Sequence, residues 1–122
     1  WDLPDEIINE MASCLFQKKY KKGDVLAKKG ESVDAIYFVK SGHVAVRNCA
    51  IEGTKYADMT FSAGDTFGER SVVMNVPAPG DAEFVTSGVL WVLTKERFFR
   101  CMNGIDLHQM IERSLDHKFL VS

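Results

Sequence analysis

The chain is poor in proline and in cysteine, with three of each in 122 residues, and its net charge is only -2. Cys14, Cys49 and Cys101 lie far apart with no CxxC pair. An odd number of scattered thiols excludes the disulfide framework of a small secreted domain, and free thiols in a reducing cytosol are expected. His43, His108 and His117 are equally scattered, so neither a metal site nor a Cys–His catalytic pair is expected, and no cofactor is implied. Fifteen basic against seventeen acidic residues give no electrostatic footprint for nucleic acid or an anionic membrane. The longest apolar runs, such as Val89 to Leu93, are far too short to span a bilayer. No cationic start leads into an apolar core, so no signal peptide is visible. The chain opens at Trp1 rather than at methionine, and a piece excised from a longer cytoplasmic protein is the expectation.

What is present is the composition of an ordinary globular domain, 46% apolar and 26% charged. The length suits one domain, with about 65% of the unfolded surface available for burial. Leu3, Ile7, Ile8, Met11 and Leu15 recur at helical spacing, with Pro4 expected in the first turn and Asp5 and Glu6 suited to the positive end of the dipole. From Phe16 the period shortens. Apolar or alternating runs at Ala35–Val39, His43–Val46 and Tyr56–Phe61 are separated by Gly23, Gly30, Gly42, Gly53 and Gly64. Short strands punctuated by glycine predict a β-sandwich or barrel. Lys18, Lys19, Lys21, Lys22, Lys28 and Lys29 read as a solvated strand edge, where lysine discourages pairing with other chains. Ser87-Gly88 reads as a two-residue hairpin turn between strands Glu83–Thr86 and Val89–Leu93. Thr94 is a good N-cap for a helix carrying Phe98, Phe99 and Met102, which Asn103-Gly104 would end. Leu107, Met110, Ile111, Leu115 and Phe119 space a last amphipathic helix.

One stretch departs from this pattern, Phe67-Gly68-Glu69 followed by the apolar turn Val72-Val73-Met74. A glycine permits close backbone approach, the N–H groups that open the next helical turn are unsatisfied, and a carboxylate accepts bonds from vicinal hydroxyls. By itself such a turn is weak evidence of a site. The surrounding ladder is more specific: Gly23-Asp24-Val25, Gly30-Glu31, Asp34 to Val39, Ser41-Gly42-His43-Val44 and Gly64-Asp65-Thr66-Phe67-Gly68-Glu69. In order and spacing it resembles the cyclic-nucleotide-binding domain family over nearly the whole chain. With Leu90-Trp91-Val92-Leu93 and Phe98-Phe99-Arg100, the likeness is greatest to domains of cyclic-AMP-dependent kinase regulatory subunits and cyclic-GMP-dependent kinases.

The resemblance implies a mainly β fold with flanking helices. Residues 1–15 would form an N-terminal helix, 16–93 an eight-stranded, jelly-roll-like β-roll with a phosphate-binding cassette at 67–82, and 94–122 the C-terminal hinge and lid helices. In the family the glutamate of Phe-Gly-Glu binds the ribose 2′-hydroxyl, which falls on Glu69 beside Gly68 and Phe67. A Pro-Arg-Ala-Ala stretch then holds the phosphate. Here Pro77 matches, but Ala78, Pro79, Gly80 and Asp81 follow it. Ala78 carries no guanidinium, Pro79 has no N–H, and Asp81 brings a negative charge that would repel a phosphate if it faced the pocket. Gly80 stands where a hydroxyl often accompanies guanine preference. Arg70 stands where the family usually has an apolar residue and is the candidate compensating cation. Phe119 and His117 are candidates for a lid over the base.

The expected function is therefore a ligand-sensing regulatory domain of a protein kinase system, acting on a catalytic domain in cis or in trans. It keeps the ribose site and lacks the phosphate site, so its ligand would be a purine nucleoside, with weak or no binding of cyclic AMP or cyclic GMP. Two other readings stand beside it: a degenerate domain that docks partners without a ligand, and a cyclic-nucleotide receptor that relies on Arg70. No nucleophile–base pair or phosphate loop suggests an enzyme.

Overall fold

A computed structural model describes residues 3–51, 54–55 and 58–102. The chain opens with helix α1 (Asp5–Ser13), and its first turn is closed by the N–H groups of Ile7 and Ile8, which donate to the Pro4 carbonyl at 3.0 and 3.1 Å. Pro4 thus precedes the helix as its N-cap instead of lying in the first turn. Among the described residues, ten strands and two further helices follow: β1 (Phe16–Tyr20), β2 (Val25–Ala27), β3 (Ala35–Ser41), β4 (Val44–Arg47), β5 (Ala50–Ile51), β6 (Thr54–Lys55), β7 (Met59–Phe61), β8 (Thr66–Phe67), α2 (Glu69–Met74), β9 (Asp81–Phe84), β10 (Gly88–Thr94) and α3 (Lys95–Cys101).

Eight of the strands form two antiparallel four-stranded sheets, in the orders β1-β10-β3-β8 and β2-β9-β4-β7, and β5 with β6 makes a short ribbon. This is the expected β-roll. The lysine-rich β1 lies at a sheet edge with Lys18 and Lys19 exposed, as edge protection requires.

The expected hairpin at Ser87-Gly88 does not form. β9 pairs with β2 and β4, whereas β10 pairs with β1 and β3, so the chain crosses from one sheet to the other between them. Gly88 has a different task. A Cβ there would strike the Ser41 carbonyl and lie 2.6 Å from the Phe84 ring, so glycine allows β10 to begin where the two sheets converge.

Burial on both faces explains the near-continuous apolar run of β3. Ala35, Val39 and Tyr37 face the space between the sheets, with Val44, Phe61, Phe67, Phe84, Leu90 and Val92. Ile36 and Phe38 face the other way, into a second core with Met11, Val72, Leu93, Phe98 and Met102 that fastens the helices to the roll. Thr94 caps α3 as expected, its Oγ1 accepting the Arg97 N–H at 3.4 Å. Arg97 in turn donates to the Cys14 carbonyl at 3.1 Å and ties α3 to the end of α1. Phe99 does not join the core; it is half-exposed, its ring meeting that of the buried Phe98 edge to face at 5.5 Å. Among the described residues no helix is long and apolar enough to cross a membrane. The predicted Asn103-Gly104 stop and the helix through Phe119 lie outside the described residues.

Candidate functional site

An open cavity of about 380 Å³ is walled by residues of both sheets and by the stretch from Phe67 to Gly80. That volume is in the range of small-molecule sites. The sheets contribute mostly apolar side chains, among them Leu26, Tyr37, Val46, Met59 and Phe61. Phe67 stacks on Tyr37 with ring centroids 5.1 Å apart and meets Phe61 at 5.2 Å. Burial, and secondarily the Asp34 carboxylate, push the Tyr37 phenol above its ordinary pKa, so it stays a neutral hydroxyl on the cavity wall. Sequence reasoning did not single out this aromatic wall. Its signal was the alternation Ala35, Tyr37, Val39, which puts Tyr37 on the inward face.

The turn at the head of α2 is built by Gly68, whose φ of 89° is left-handed. A Cβ at Gly68 would lie 2.9 Å from the Ala35 carbonyl, so only glycine lets the chain turn this close to β3. Phe67, Gly68, Arg70 and Ser71 all line the cavity. Glu69 does not. It is 5% exposed, in the first turn of α2, flanked in sequence by the wall residues Gly68 and Arg70.

The far end of the cassette reaches the wall through Pro77, Ala78, Pro79 and Gly80. Ala78 is buried, and its backbone is already engaged: its N–H donates to the Glu31 carbonyl at 2.8 Å, and its carbonyl accepts from Gly30 at 3.0 Å. Asp81 does not face the cavity. Its Oδ1 accepts the Lys29 N–H at 2.8 Å, which pins the loop after β2 to the start of β9. The repulsion considered for this carboxylate therefore does not arise from the wall. Gly80 packs so tightly that a Cβ would meet the Arg47 carbonyl and lie 2.5 Å from the Cys49 sulfur.

The charged residues on the wall, among those described, are Lys29 and Arg70, both exposed. Cys49 also lines the cavity; burial, then Asp58, push its thiol up, with Lys29 opposing, so it is a neutral, apolar wall group and not a thiolate. The lid candidates Phe119 and His117 lie outside the described residues. No cluster of His, Cys, Asp and Glu among the described residues could hold a metal ion.

The cyclic nucleotide-binding domain profile matches residues 17–104, and the chain belongs to that family. Among relatives, it is 27% identical to the cAMP-dependent protein kinase type II regulatory subunit of Drosophila melanogaster over 82% of this chain and 25% of that protein. The chain thus spans about a quarter of that relative's length. Among solved structures, the regulatory domain of Toxoplasma gondii PKA with cAMP superposes with a TM-score of 0.78 at 18% identity, covering 94% of this chain and 44% of that one. The regulatory subunit of a cAMP-independent protein kinase A from Trypanosoma brucei gives 0.74 at 22% identity, covering 93% and 40%. A variant of that protein bound to cAMP in the A site, in which a glutamate and a valine became alanine and a threonine became arginine, gives 0.75 at 22% identity and covers 93% and 41%.

Proposed function

We propose that this domain is the ligand sensor of a protein kinase regulatory system, and that its cavity takes an uncharged purine nucleoside in preference to a cyclic nucleotide. The observation that carries this is the chemistry at Ala78 and Pro79. One has a methyl group and an N–H already given to Glu31, and the other has no N–H at all. A cyclic phosphate at that end of the cavity would lose its water and gain neither a guanidinium nor an amide. The loss of such a charged partner at a desolvated site costs about 2–5 kcal/mol, roughly 30-fold to several-thousand-fold in affinity. The remaining surface suits a nucleoside: an aromatic wall at Tyr37, Phe61 and Phe67 for the base, and the Gly68 turn for the sugar, where the Glu69 carboxylate, buried just behind the wall, would have to turn toward the cavity to accept the ribose hydroxyls. A cavity of this size also favours a ligand-binding domain over one that serves only for docking.

The occupied site would bias α3, which packs on the roll through Phe98 and Cys101, between two arrangements and so control a kinase catalytic domain. The energy available is the ligand's differential affinity for the two. Two structural neighbours lend support by their descriptions: one is a cAMP-independent kinase regulatory subunit, and its arginine-bearing variant binds cAMP. Arg70 supplies the second reading. It lines the cavity and carries a cation, which a cyclic nucleotide receptor would need.

Thermal denaturation with adenosine, guanosine, inosine, cyclic AMP and cyclic GMP separates these readings. Stabilisation by a nucleoside alone is expected. Stabilisation by cyclic nucleotides alone, lost in Arg70→Ala, would replace the first reading by the second. A chain that no compound stabilises would leave the docking role.

A further inference from the structure

A second, smaller cavity of about 170 Å³ adjoins the first, and Val33, Ser71, Val76 and Pro77 line both. Its remaining wall is polar: Ser32 and Asp34 from the loop before β3, Asn75 at the C-cap of α2, and Lys95, the first residue of α3. The two cavities meet at the sugar end of the site. Val33 Cγ1 comes within 3.6 Å of the position a Cβ would take at Gly68, and so does Tyr37 Cδ2. Val76 and Pro77 lie between the Glu69 turn and the Ala78-Pro79 segment, so the shared wall runs along the gap between the expected ribose and phosphate contacts.

We infer that this annex receives the free 5′-hydroxymethyl arm of the nucleoside, with the side chains of Lys95 and Asn75 as its hydrogen-bond partners. This rests on the nucleoside reading above and extends it to the part of the sugar that is recognised. The annex carries one acid and one base, Asp34 and Lys95, so it offers both donors and acceptors with no net charge. That suits a hydroxyl, which donates and accepts, better than a phosphate dianion. In a 3′,5′-cyclic phosphate the 5′ oxygen is tied back to the 3′ oxygen, and the arm cannot swing away from the ring. In a free nucleoside it can. The annex therefore adds a positive reason for choosing nucleosides to the negative one at Ala78 and Pro79. The Asp34 carboxylate that faces the annex also raises the pKa of Tyr37 on the main wall, so the two compartments are electrostatically in touch. Lys95 opens α3, and its N–H donates to the Asp34 carbonyl at 2.8 Å, so a ligand hydroxyl held there bonds directly to the helix that packs on the roll.

The test is calorimetric titration of the chain with adenosine and 5′-deoxyadenosine, repeated with guanosine and 5′-deoxyguanosine. Removing the 5′-hydroxyl is expected to weaken binding about tenfold. In Lys95→Met, which keeps the aliphatic stem, and in Asn75→Gly, which removes the side chain and suits the left-handed backbone there, that penalty is expected to shrink severalfold while the 5′-deoxy compounds bind as before. Equal binding of each pair, or a penalty unchanged in both variants, would overturn the annex and leave nucleoside binding intact. Failure of every nucleoside to bind would overturn both.

Discussion

The N–H of Ala78 and the carbonyl of Glu31 are joined by a 2.8 Å hydrogen bond, and the Ala78 carbonyl accepts from Gly30 at 3.0 Å. The cavity segment that carries Ala78 is thereby stitched to the turn after β2, with the Ala78 backbone groups directed into the protein.

Restoring the side-chain pattern should reverse the selectivity. Ala78→Arg with Pro79→Ala introduces a guanidinium and returns one N–H to the wall. Affinity for cyclic AMP is expected to rise by at least about 30-fold, measured by calorimetric titration. A variant that folds with an unchanged cyclic AMP affinity would refute the account of the phosphate end.

Glu69 is the test of the sugar end. A nucleoside at a hundred times its dissociation constant adds about 2.7 kcal/mol, or roughly 10 °C in Tm for a chain of this length. Glu69→Ala should abolish that increment. Glu69→Gln, which keeps one acceptor and adds a donor, should retain part of it. A full increment in both variants would leave Glu69 with a packing role alone.

Gly80→Ala should destabilise the domain. The new methyl would meet the Arg47 carbonyl and the Cys49 sulfur at 2.5 Å, and overpacking of this kind costs about 1–3 kcal/mol. The expected fall in Tm is about 4–12 °C. Gly64→Ala provides a control with no steric conflict, since nothing lies within 4 Å of its Cβ position, although its φ of 94° brings a backbone strain of its own. A fall for Gly80→Ala no larger than that control's would count against the close packing.

Thr94→Ala removes the cap of α3. The 3.4 Å bond to Arg97 is long, so the cost should fall in the lower part of the usual range, about 0.5–1 kcal/mol. Chemical denaturation of the two proteins measures it, and Thr94→Ser should recover most of the loss.

Tyr20 stacks on Phe84 at 4.8 Å, and burial, then Tyr37 and Asp24, push its phenol up to about 12. The folded state holds this proton more tightly than the unfolded state, whose phenol titrates near 10. The stability it contributes is complete below about pH 10 and is lost as pH rises toward 12. Tyr20→Phe should flatten that part of the Tm-against-pH curve. An unchanged alkaline slope would assign the loss to other groups.

The glycine ladder, the strand periods and the Thr94 cap were legible in the sequence because each is set by local chemistry. Gly68 and Gly64 adopt positive φ where the turns demand it, and Ile36 and Tyr37 take opposite faces because a strand alternates. Sheet membership was not legible. Ser87-Gly88 has the residues of a hairpin, yet β9 and β10 belong to different sheets, since pairing partners are chosen by apolar faces distant in sequence. The same limit applied at the site. Phe67, Gly68, Arg70 and residues 78–80 line one cavity, but the bond from the Lys29 N–H that holds Asp81 off its wall depends on a loop more than fifty residues earlier.

By itself the sequence determined a β fold of short, glycine-punctuated strands, which its family resemblance narrows to a β-roll, and the absence of a cation at Ala78 and of an N–H at Pro79, because side-chain charge and the missing proline N–H are properties of the residues alone. Tertiary structure alone decided that Glu69 is buried off the wall, that Tyr37 and Phe67 share an aromatic face, and that a small polar cavity lined by Lys95 adjoins the main one. Those are distances between residues far apart in the chain, and only the packing of the sheets and helices against one another fixes them.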